Sequence, residues 1–141
     1  MYSAYMVSIA EYGSVVEARR HFKDLLDAAE SGRTASVTRD RRRTALVDGD
    51  RLRRTLSALR PSRAEVVHEA GGWSVFLPGL PIAADGATLQ EALVEAVDAL
   101  REYAADWADH LLHAPNHADN WSLVQLIDLS TDEQLVEWLT A

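Results

Sequence analysis

The stretch Gly72-Trp-Ser-Val-Phe-Leu-Pro-Gly-Leu-Pro-Ile-Ala-Ala-Asp-Gly-Ala-Thr-Leu-Gln-Glu-Ala92 decides the fold of the second half of this 141-residue chain. Residues 73, 75 and 77 are apolar and alternate with others, which is typical of a strand with one buried face. Pro and Gly at 78–81 predict a bend, and residues 82–84 predict another short strand. Thr88 and Glu91 form a capping box, so a helix begins there and can pack on the strands.

The flanking residues extend this pattern in both directions. Residues 65–70 predict the first strand of a hairpin, with Gly71-Gly72 as its turn. The helix after Thr88 carries apolar residues at steps of three and four as far as Leu111, and Ala114-Pro-Asn116 ends it. Two shorter helices are predicted at 117–127 and 131–139, the second from a capping box of Ser130 and Glu133.

The first half predicts the order β-α-β-β-α. Residues 6–12 predict a short strand, and a capping box of Ser14 and Glu17 opens a helix that Gly32 ends. Strands are predicted at 34–38 and 44–47, and a further helix runs from 48–50 to Pro61. The first helix is expected to bury Ala18, Phe22, Leu25, Leu26 and Ala29. In the second helix, Leu52, Leu56 and Leu59 lie on one face.

Charge divides the chain at the same place where Pro61-Ser62 breaks it. Of the 14 Lys and Arg residues, 13 lie at or before Arg63, and only Arg101 lies beyond it. The 22 Asp and Glu residues divide the other way, with 8 before Arg63 and 14 after it. A basic part suits nucleic acid and an acidic part suits a basic protein. We therefore predict an α+β protein of two small modules, residues 1–62 and 63–141.

Several classes of protein are disfavoured by composition. The chain has no cysteine, which rules out a disulfide scaffold, a thiolate zinc site and a cysteine nucleophile. The residues after Met1 lack the basic start and long apolar run of a signal peptide, and Met6 offers an alternative start of translation. No stretch of about 18 apolar residues occurs, so we predict no membrane span and no membrane partner; the absence of cysteine fits a reducing cytoplasm, where we expect the protein.

The best functional signal is a basic turn between the two predicted strands of the first half. Arg39, Arg41, Arg42 and Arg43 fall within five positions and would repel one another unless anions offset them. Facing phosphate, each guanidinium offers a planar set of donors and releases counterions. Arg19 and Arg20 fall off the apolar helix face, toward solvent or a ligand. The alternative is a solvated loop with no ligand.

No complete catalytic, cofactor or metal motif occurs. His110 and His113 lie three apart on one helix, near Asp106, Asp109 and His117, but such a pair is common by chance, and we predict no metal, cofactor or catalytic residue. Asp85, near the Pro-rich bend, is the carboxylate to inspect for acid–base or metal chemistry. The four Trp residues are expected in the core or at an interface rather than stacked on bases, because an acidic module repels nucleic acid.

The first half resembles the N-terminal domain of Phd/YefM-type antitoxins over about residues 6–60. The matching residues, in order, are Glu17-Ala-Arg19, Phe22, Leu25-Leu26, Gly32, Val37-Thr-Arg39 and Ala45-Leu-Val47. The resemblance implies a homodimer that pairs small sheets, binds operator DNA and represses its own operon. It also implies that Arg19 and Arg39 approach the DNA. Asp40-Arg-Arg-Arg43 departs from the short glycine-containing turn that many relatives have after this Arg.

The second half resembles HicB-type antitoxins, a truncated RNase H-like fold, over about residues 64–105. The match is Gly72-Trp-Ser-Val, Leu77-Pro-Gly-Leu-Pro81 and Asp85-Gly-Ala-Thr-Leu-Gln-Glu-Ala92. The resemblance implies a domain that binds a toxin protein. The contact residues are unknown, and the candidates are Trp73, Phe76, Asp85, Trp121 and Trp138.

Together these observations predict the antitoxin of a type II toxin–antitoxin system rather than an enzyme. It would bind a cognate toxin, a RelE-like or HicA-like ribonuclease in the first instance, and operator DNA as a homodimer or higher oligomer. One alternative is a ligand-sensing transcription regulator with no toxin partner. Another is a divergent metal-dependent nuclease, which the strands disfavour because Glu65 and Glu69 lie on the first and no carboxylate lies on Trp73–Leu77.

Overall fold

The computed structural model describes residues 9–141 and shows an α+β chain with two small three-stranded sheets. The described residues form six α-helices and two short 3-10 helices, which confirms the predicted fold class. Contacts divide the chain into two compact units, one ending at Leu52 and the other beginning at Arg53. The predicted modules, divided after residue 62, are functional units, and this division stays a prediction.

The first unit is a small mixed sheet with two helices. Its elements are β1 (Ala10–Tyr12), α1 (Val15–Arg20), α2 (Phe22–Glu30), β2 (Ala35–Arg39) and β3 (Arg42–Leu46), followed by the start of α3 (Gly49–Leu59). Strand β2 is central; it runs parallel to β1 and antiparallel to β3. Residues 6–8 of the first predicted strand, and the question of Met1 or Met6, lie outside the described residues.

One predicted helix, over residues 14–31, is two. His21 leaves the helical conformation (φ −116°, ψ 28°) and separates α1 from α2. Its imidazole lies parallel to the Tyr12 ring, with centroids 5.1 Å apart, so the break coincides with a ring stack against β1. Both predicted ends are confirmed: the Ser14 hydroxyl accepts the Glu17 N–H (3.2 Å), and Gly32 has a left-handed φ of 82°.

The core of the first unit is small and built mostly of alanine. Its buried members are Ala10, Ala18, Leu25, Ala28, Ala29 and Ala35. The predicted core was wrong for Phe22 and Leu26, which are 51% and 40% exposed. The spacing placed both on the apolar side of the helix, but the alanines face the sheet and these larger side chains flank the contact.

The second unit is an antiparallel meander covered by helices. Its elements are β4 (Glu65–Glu69), β5 (Gly72–Leu77), β6 (Ile82–Gly86), α4 (Leu89–Asp109), α5 (Trp121–Leu129) and α6 (Asp132–Thr140), with 3-10 helices at Leu111–His113 and Ala118–Asn120. Helix α4 packs on β5 and β6. Val75 and Leu77 are fully buried beneath it, as their alternation predicted. Thr88 caps α4 by accepting the Glu91 N–H (3.1 Å).

Three predictions differ from the structure in local detail. The β4–β5 turn is Ala70-Gly71, both at positive φ, rather than Gly71-Gly72. The cap of α6 is Thr131 with Gln134, one residue later than predicted, because Ser130 instead turns its hydroxyl to the Leu126 carbonyl (2.6 Å). Leu59 is 77% exposed, so the predicted leucine face of α3 buries Leu56 but does not extend to its end.

Arg101, the lone basic residue of the acidic region, joins α4 to the α5–α6 turn. Its guanidinium donates to the carbonyls of Ile127 (2.6 Å) and Ser130 (2.8 Å) and to the Asp132 carboxylate (2.8 Å). The carbonyls belong to the end of α5, where helix geometry leaves acceptors without partners. Arg101 therefore satisfies the end of one helix and meets the acidic start of the next.

Candidate functional site

The basic segment 39–43 is a tight hairpin rather than a five-residue loop. Asp40 and Arg41 form its turn, with φ values of 49° and 68°, and Arg39 pairs directly with Arg42. Two consecutive residues at positive φ make the type I′ turn, whose twist matches that of paired strands. The predicted basic turn covered all of residues 39–43, whereas the turn itself is only Asp40-Arg41; the difference arises because charge hid the strand pattern of β3, whose outer residues are exposed.

The hairpin arginines lie on two faces of the sheet. Paired residues share a face, so Arg39 and Arg42 lie on the side of Val37 and Leu46, where α1 and α2 also pack. Like charges directly opposite each other destabilise a ladder. An anion bound between Arg39 and Arg42 would remove that repulsion, and the exposed Arg41 lies in the turn beside them.

Arg43 contacts other side chains of the sheet. It lies on the opposite face, forms an ion pair with Glu11 of β1 and donates from Nε to the Ser36 hydroxyl (3.2 Å). Both partners come from neighbouring strands of the same sheet. The four arginines therefore do not form one continuous surface, and Arg43 has a structural partner that the sequence did not show.

Arg19 and Arg20 are exposed on α1 and differ in their surroundings. Arg19 borders an open concavity of about 500 Å³ whose other lining is apolar, including Phe22 and Val15. Arg20 lies 3.9 Å from the Glu17 carboxylate. Arg19 is thus on the same side of the sheet as Arg39, next to apolar surface.

Two arginines outside the predicted set also share a concavity of the first unit. Arg33 and Arg51 are the charged residues that line a cavity of about 280 Å³, together with Gly32, Thr34 and the apolar residues Ala29, Ala35, Ala45, Leu46 and Val47. We call this the Arg33–Arg51 pocket. No linear motif marks it, because Arg33 precedes β2 whereas Arg51 lies in the first turn of α3.

Tyr12 titrates differently from an isolated tyrosine. Burial raises its pKa, and the negative charges of Asp24 and Glu17 raise it further. The same two carboxylates flank the stacked His21 ring, at 3.5 and 4.0 Å. This cluster joins β1 to both helices at their junction.

The candidate toxin contacts occupy different environments in the second unit. Trp73 is half-buried and stacks on His68 with ring centroids 4.1 Å apart, whereas Phe76 is half-buried on the other face of β5. Trp121 is 50% exposed at the start of α5. Trp138 is 5% exposed and donates its indole N–H to the Arg60 carbonyl (2.8 Å), which assigns it to the core.

Asp85, His110 and His117 each contact a different polar side chain of the second unit. The exposed Asp85 accepts a hydrogen bond from the Ser74 hydroxyl (2.5 Å). His117 Nδ1 meets the Tyr103 hydroxyl (2.9 Å), and His110 Nδ1 lies 3.1 Å from Asp109. Over residues 9–141, no three side chains of the types that ligate metals come together.

A cavity of about 590 Å³ lies in the second unit beside the Pro78–Leu80 bend. Its walls include Leu59, Arg63, Asn116 and Trp138. The Arg60 guanidinium at its edge already bonds Asn120 (3.0 Å) and Ser122 (3.1 Å). Its mixture of apolar walls and polar groups is the composition expected of a small-molecule site.

None of the helices within residues 9–141 is both long and apolar enough to cross a membrane.

Comparison with known proteins finds a solved structure of similar fold. No protein-family model matches the chain, and no curated protein matches it. A crystal structure from Syntrophomonas wolfei subsp. wolfei, described as the antitoxin part of a proposed toxin/antitoxin system, is similar with a TM-score of 0.76 and 21% identity. The alignment covers 90% of this chain and 94% of that one, so both α+β units have counterparts in a single known fold.

Proposed function

We propose that this chain is a two-module antitoxin, with a Phd/YefM-like first module (residues 1–62) and a HicB-like second module (63–141). The observation that carries the proposal is the likeness to a protein described as an antitoxin, which extends over 90% of the chain and therefore includes both modules. The sequence motifs in each half favour the same function independently. Neutralisation would be steric and electrostatic, with no catalytic step by this chain.

The first module would bind operator DNA through its hairpin and α1. Arg39 and Arg42 form a like-charged pair that phosphate would neutralise, with Arg41 and Arg19 on the same part of the surface. Where an arginine reaches a base edge in the major groove, two of its N–H donors can bind O6 and N7 of guanine together, which favours that base. Arg43 is held by Glu11, so we assign it a smaller share of DNA affinity.

The same module would form a homodimer. Val16, Phe22 and Leu26 of the first two helices are 58%, 51% and 40% exposed, while the core beneath them contains mainly alanine. Exposed apolar side chains beside a small core favour a partner surface, and a second copy supplies one. Two copies would also bring two basic hairpins to one duplex, as operator symmetry requires.

The second module would bind the toxin. Beyond Arg63 the chain carries 14 Asp and Glu residues and one Arg, which would attract a basic ribonuclease of the RelE-like or HicA-like kind and cover its RNA-binding face. Trp121, exposed at the start of α5, is the aromatic side chain best placed to anchor such a partner. Trp73 and Phe76 are half-buried secondary candidates with Asp85 nearby, and the buried Trp138 is left out.

Gel shifts on a duplex from upstream of the gene test the DNA-binding arm. Arg39→Ala and Arg42→Ala should each lower affinity and reduce the slope of log K against log salt by about 0.9. Arg43→Ala, which removes the same charge from the opposite face, is the matched control and should change the slope less. Equal slopes for all three variants and the parent chain would contradict this assignment.

Coexpression with the product of the adjacent reading frame tests the toxin arm. We expect that product to arrest growth alone, to be tolerated with this chain and to copurify with it. Trp121→Ala should weaken copurification, whereas Trp138→Phe should do so only if it unfolds the module. A harmless neighbour that does not bind the chain would refute the toxin arm.

A second candidate, a ligand-sensing regulator without a toxin, is favoured by the 590 Å³ cavity beside the Pro78–Leu80 bend. That cavity is within the size range of sites for small ligands. A small molecule that stabilises the chain and changes DNA affinity, together with a harmless neighbouring gene product, would favour this function over the first.

A further inference from the structure

We propose that the Arg33–Arg51 pocket binds a phosphate group. The pocket lies in the first unit, near the end of β2 that is remote from the hairpin turn. Its charged lining residues are Arg33 and Arg51, no Asp or Glu lines it, and Thr34 is its hydroxyl-bearing residue. Arginine recognises phosphate through a planar set of donors that can bind two oxygens at once.

The two cations of the pocket have no anionic partner among the described residues 9–141. The neighbouring carboxylate of Asp48 instead caps α3, where its Oδ2 accepts the Arg51 N–H (3.1 Å). By contrast, Arg43, Arg20 and Lys23 of the same unit each face a carboxylate. An anion in the pocket would turn the repulsion between two like charges into attraction for a common ligand.

Gly32 positions one of the two guanidinium groups. The Arg51 guanidinium lies over the Gly32 backbone, and a Cβ at residue 32 would overlap it. Gly32 also adopts a φ of 82° as it ends α2, a conformation that costs glycine little. The glycine therefore provides both the helix end and the space in which the guanidinium rests at the wall of the pocket.

The phosphate can come from a DNA backbone or from a free phosphate compound, and the shared chemistry is a tetrahedral phosphate group with negatively charged oxygens. The DNA source rests on the proposed function, whereas the binding of free phosphate does not. Arg33 precedes β2 and Arg39 ends it, so the pocket and the hairpin are separated by roughly 20 Å of extended chain. That separation lets variants of the two places be compared independently.

Titration of the full chain with inorganic phosphate, followed by NMR of backbone amides, tests the site. We expect saturable shifts at Gly32–Thr34 and Arg51 at millimolar phosphate. Arg33→Ala and Arg51→Ala should abolish them, and Arg51→Lys should weaken them. Lys23→Ala, which removes an exposed charge paired with Asp27 (2.7 Å), is the control and should leave them unchanged. Absence of saturable shifts, or shifts that persist in both pocket variants, would overturn the proposal.

Duplex binding across a salt series distinguishes the two sources. If the DNA backbone supplies the phosphate, Arg33→Ala and Arg51→Ala each reduce the salt slope by about 0.9. If they abolish inorganic phosphate binding but leave the slope unchanged, the source is a free phosphate compound. If hairpin variants weaken DNA binding while pocket variants change neither the phosphate-induced shifts nor the salt slope, the pocket proposal is refuted and the hairpin assignment stands. Pocket variants that act while hairpin variants do not would refute the hairpin assignment alone.

Discussion

Replacement of Arg101 by alanine should destabilise the second unit more than any other single charge change beyond Arg63. Its guanidinium donates to the carbonyls of Ile127 and Ser130 and pairs with Asp132. A hydrogen bond from a charged donor contributes about 1.5–3 kcal/mol, which we reduce because the side chain is 36% exposed. The pair with the 75% exposed Asp132 adds at most about 1 kcal/mol. The expected loss in free energy of unfolding is about 2–4 kcal/mol.

Tryptophan fluorescence in urea measures this loss selectively. All four tryptophans, at positions 73, 107, 121 and 138, lie in the second unit, so the signal reports on that unit even if the first unfolds separately. With a denaturant slope of about 2 kcal/mol per molar, the midpoint should fall by about 1–2 M. Near-ultraviolet circular dichroism, which the same tryptophans dominate, should give the same midpoint.

Three further variants separate the contributions to this effect. Arg101→Lys keeps the charge but loses the planar set of donors, so it should give an intermediate loss. Asp132→Asn removes the exposed ion pair and should cost less than about 1 kcal/mol. Glu102→Ala truncates the neighbouring exposed side chain of α4 and should change stability by less than about 0.5 kcal/mol. If Arg101→Ala costs no more than Glu102→Ala, the argument from the helix-end carbonyls is wrong.

Three more predictions concern single contacts. Trp138→Phe keeps an aromatic ring but removes part of the buried side chain and leaves the Arg60 carbonyl without its 2.8 Å donor, so urea unfolding should show a loss of at least about 1–2 kcal/mol. Thr131→Ala removes the capping box of α6 and should cost about 1 kcal/mol in the same assay; no change would show that the cap does not contribute. Because burial and then Asp24 raise the pKa of Tyr12 above 10.0, stability from this group is complete below pH 10.0 and falls as pH rises through the higher folded value. Ultraviolet titration of the parent chain against Tyr12→Phe measures that pKa, and an ordinary value would refute the effect.

Elements with local causes could be predicted from the sequence. Capping hydroxyls at Ser14 and Thr88 each accept the N–H three residues later, as their motifs require. Alternation in Trp73–Leu77 predicted which side of β5 is covered, because successive side chains of a strand point to opposite faces. The hairpin at 39–43 was predicted with its strands too short, since exposed arginines conceal the usual apolar pattern.

The candidate site depended more strongly on contacts between distant residues. Charge separation and the basic segment were visible in the sequence, but the division of its arginines between two faces follows from the register of β2 against β3. The ion pair of Arg43 with Glu11 joins residues 32 positions apart. The predicted burial of Phe22 failed because helical spacing defines an apolar side without defining how closely the helix approaches the sheet.

By itself the sequence determined which helices and strands occur in most of the chain, that both occur in two small α+β parts, and that positive charge is concentrated before residue 64. Caps, turns and alternation act over a few residues, so a linear pattern contains their causes. Tertiary structure alone decided that Arg33 and Arg51 line one pocket, that Arg101 ends a helix 26 residues away, and that Trp138 belongs to the core. Each of these depends on strand pairing and helix packing, which bring together side chains whose separation along the chain has no fixed period.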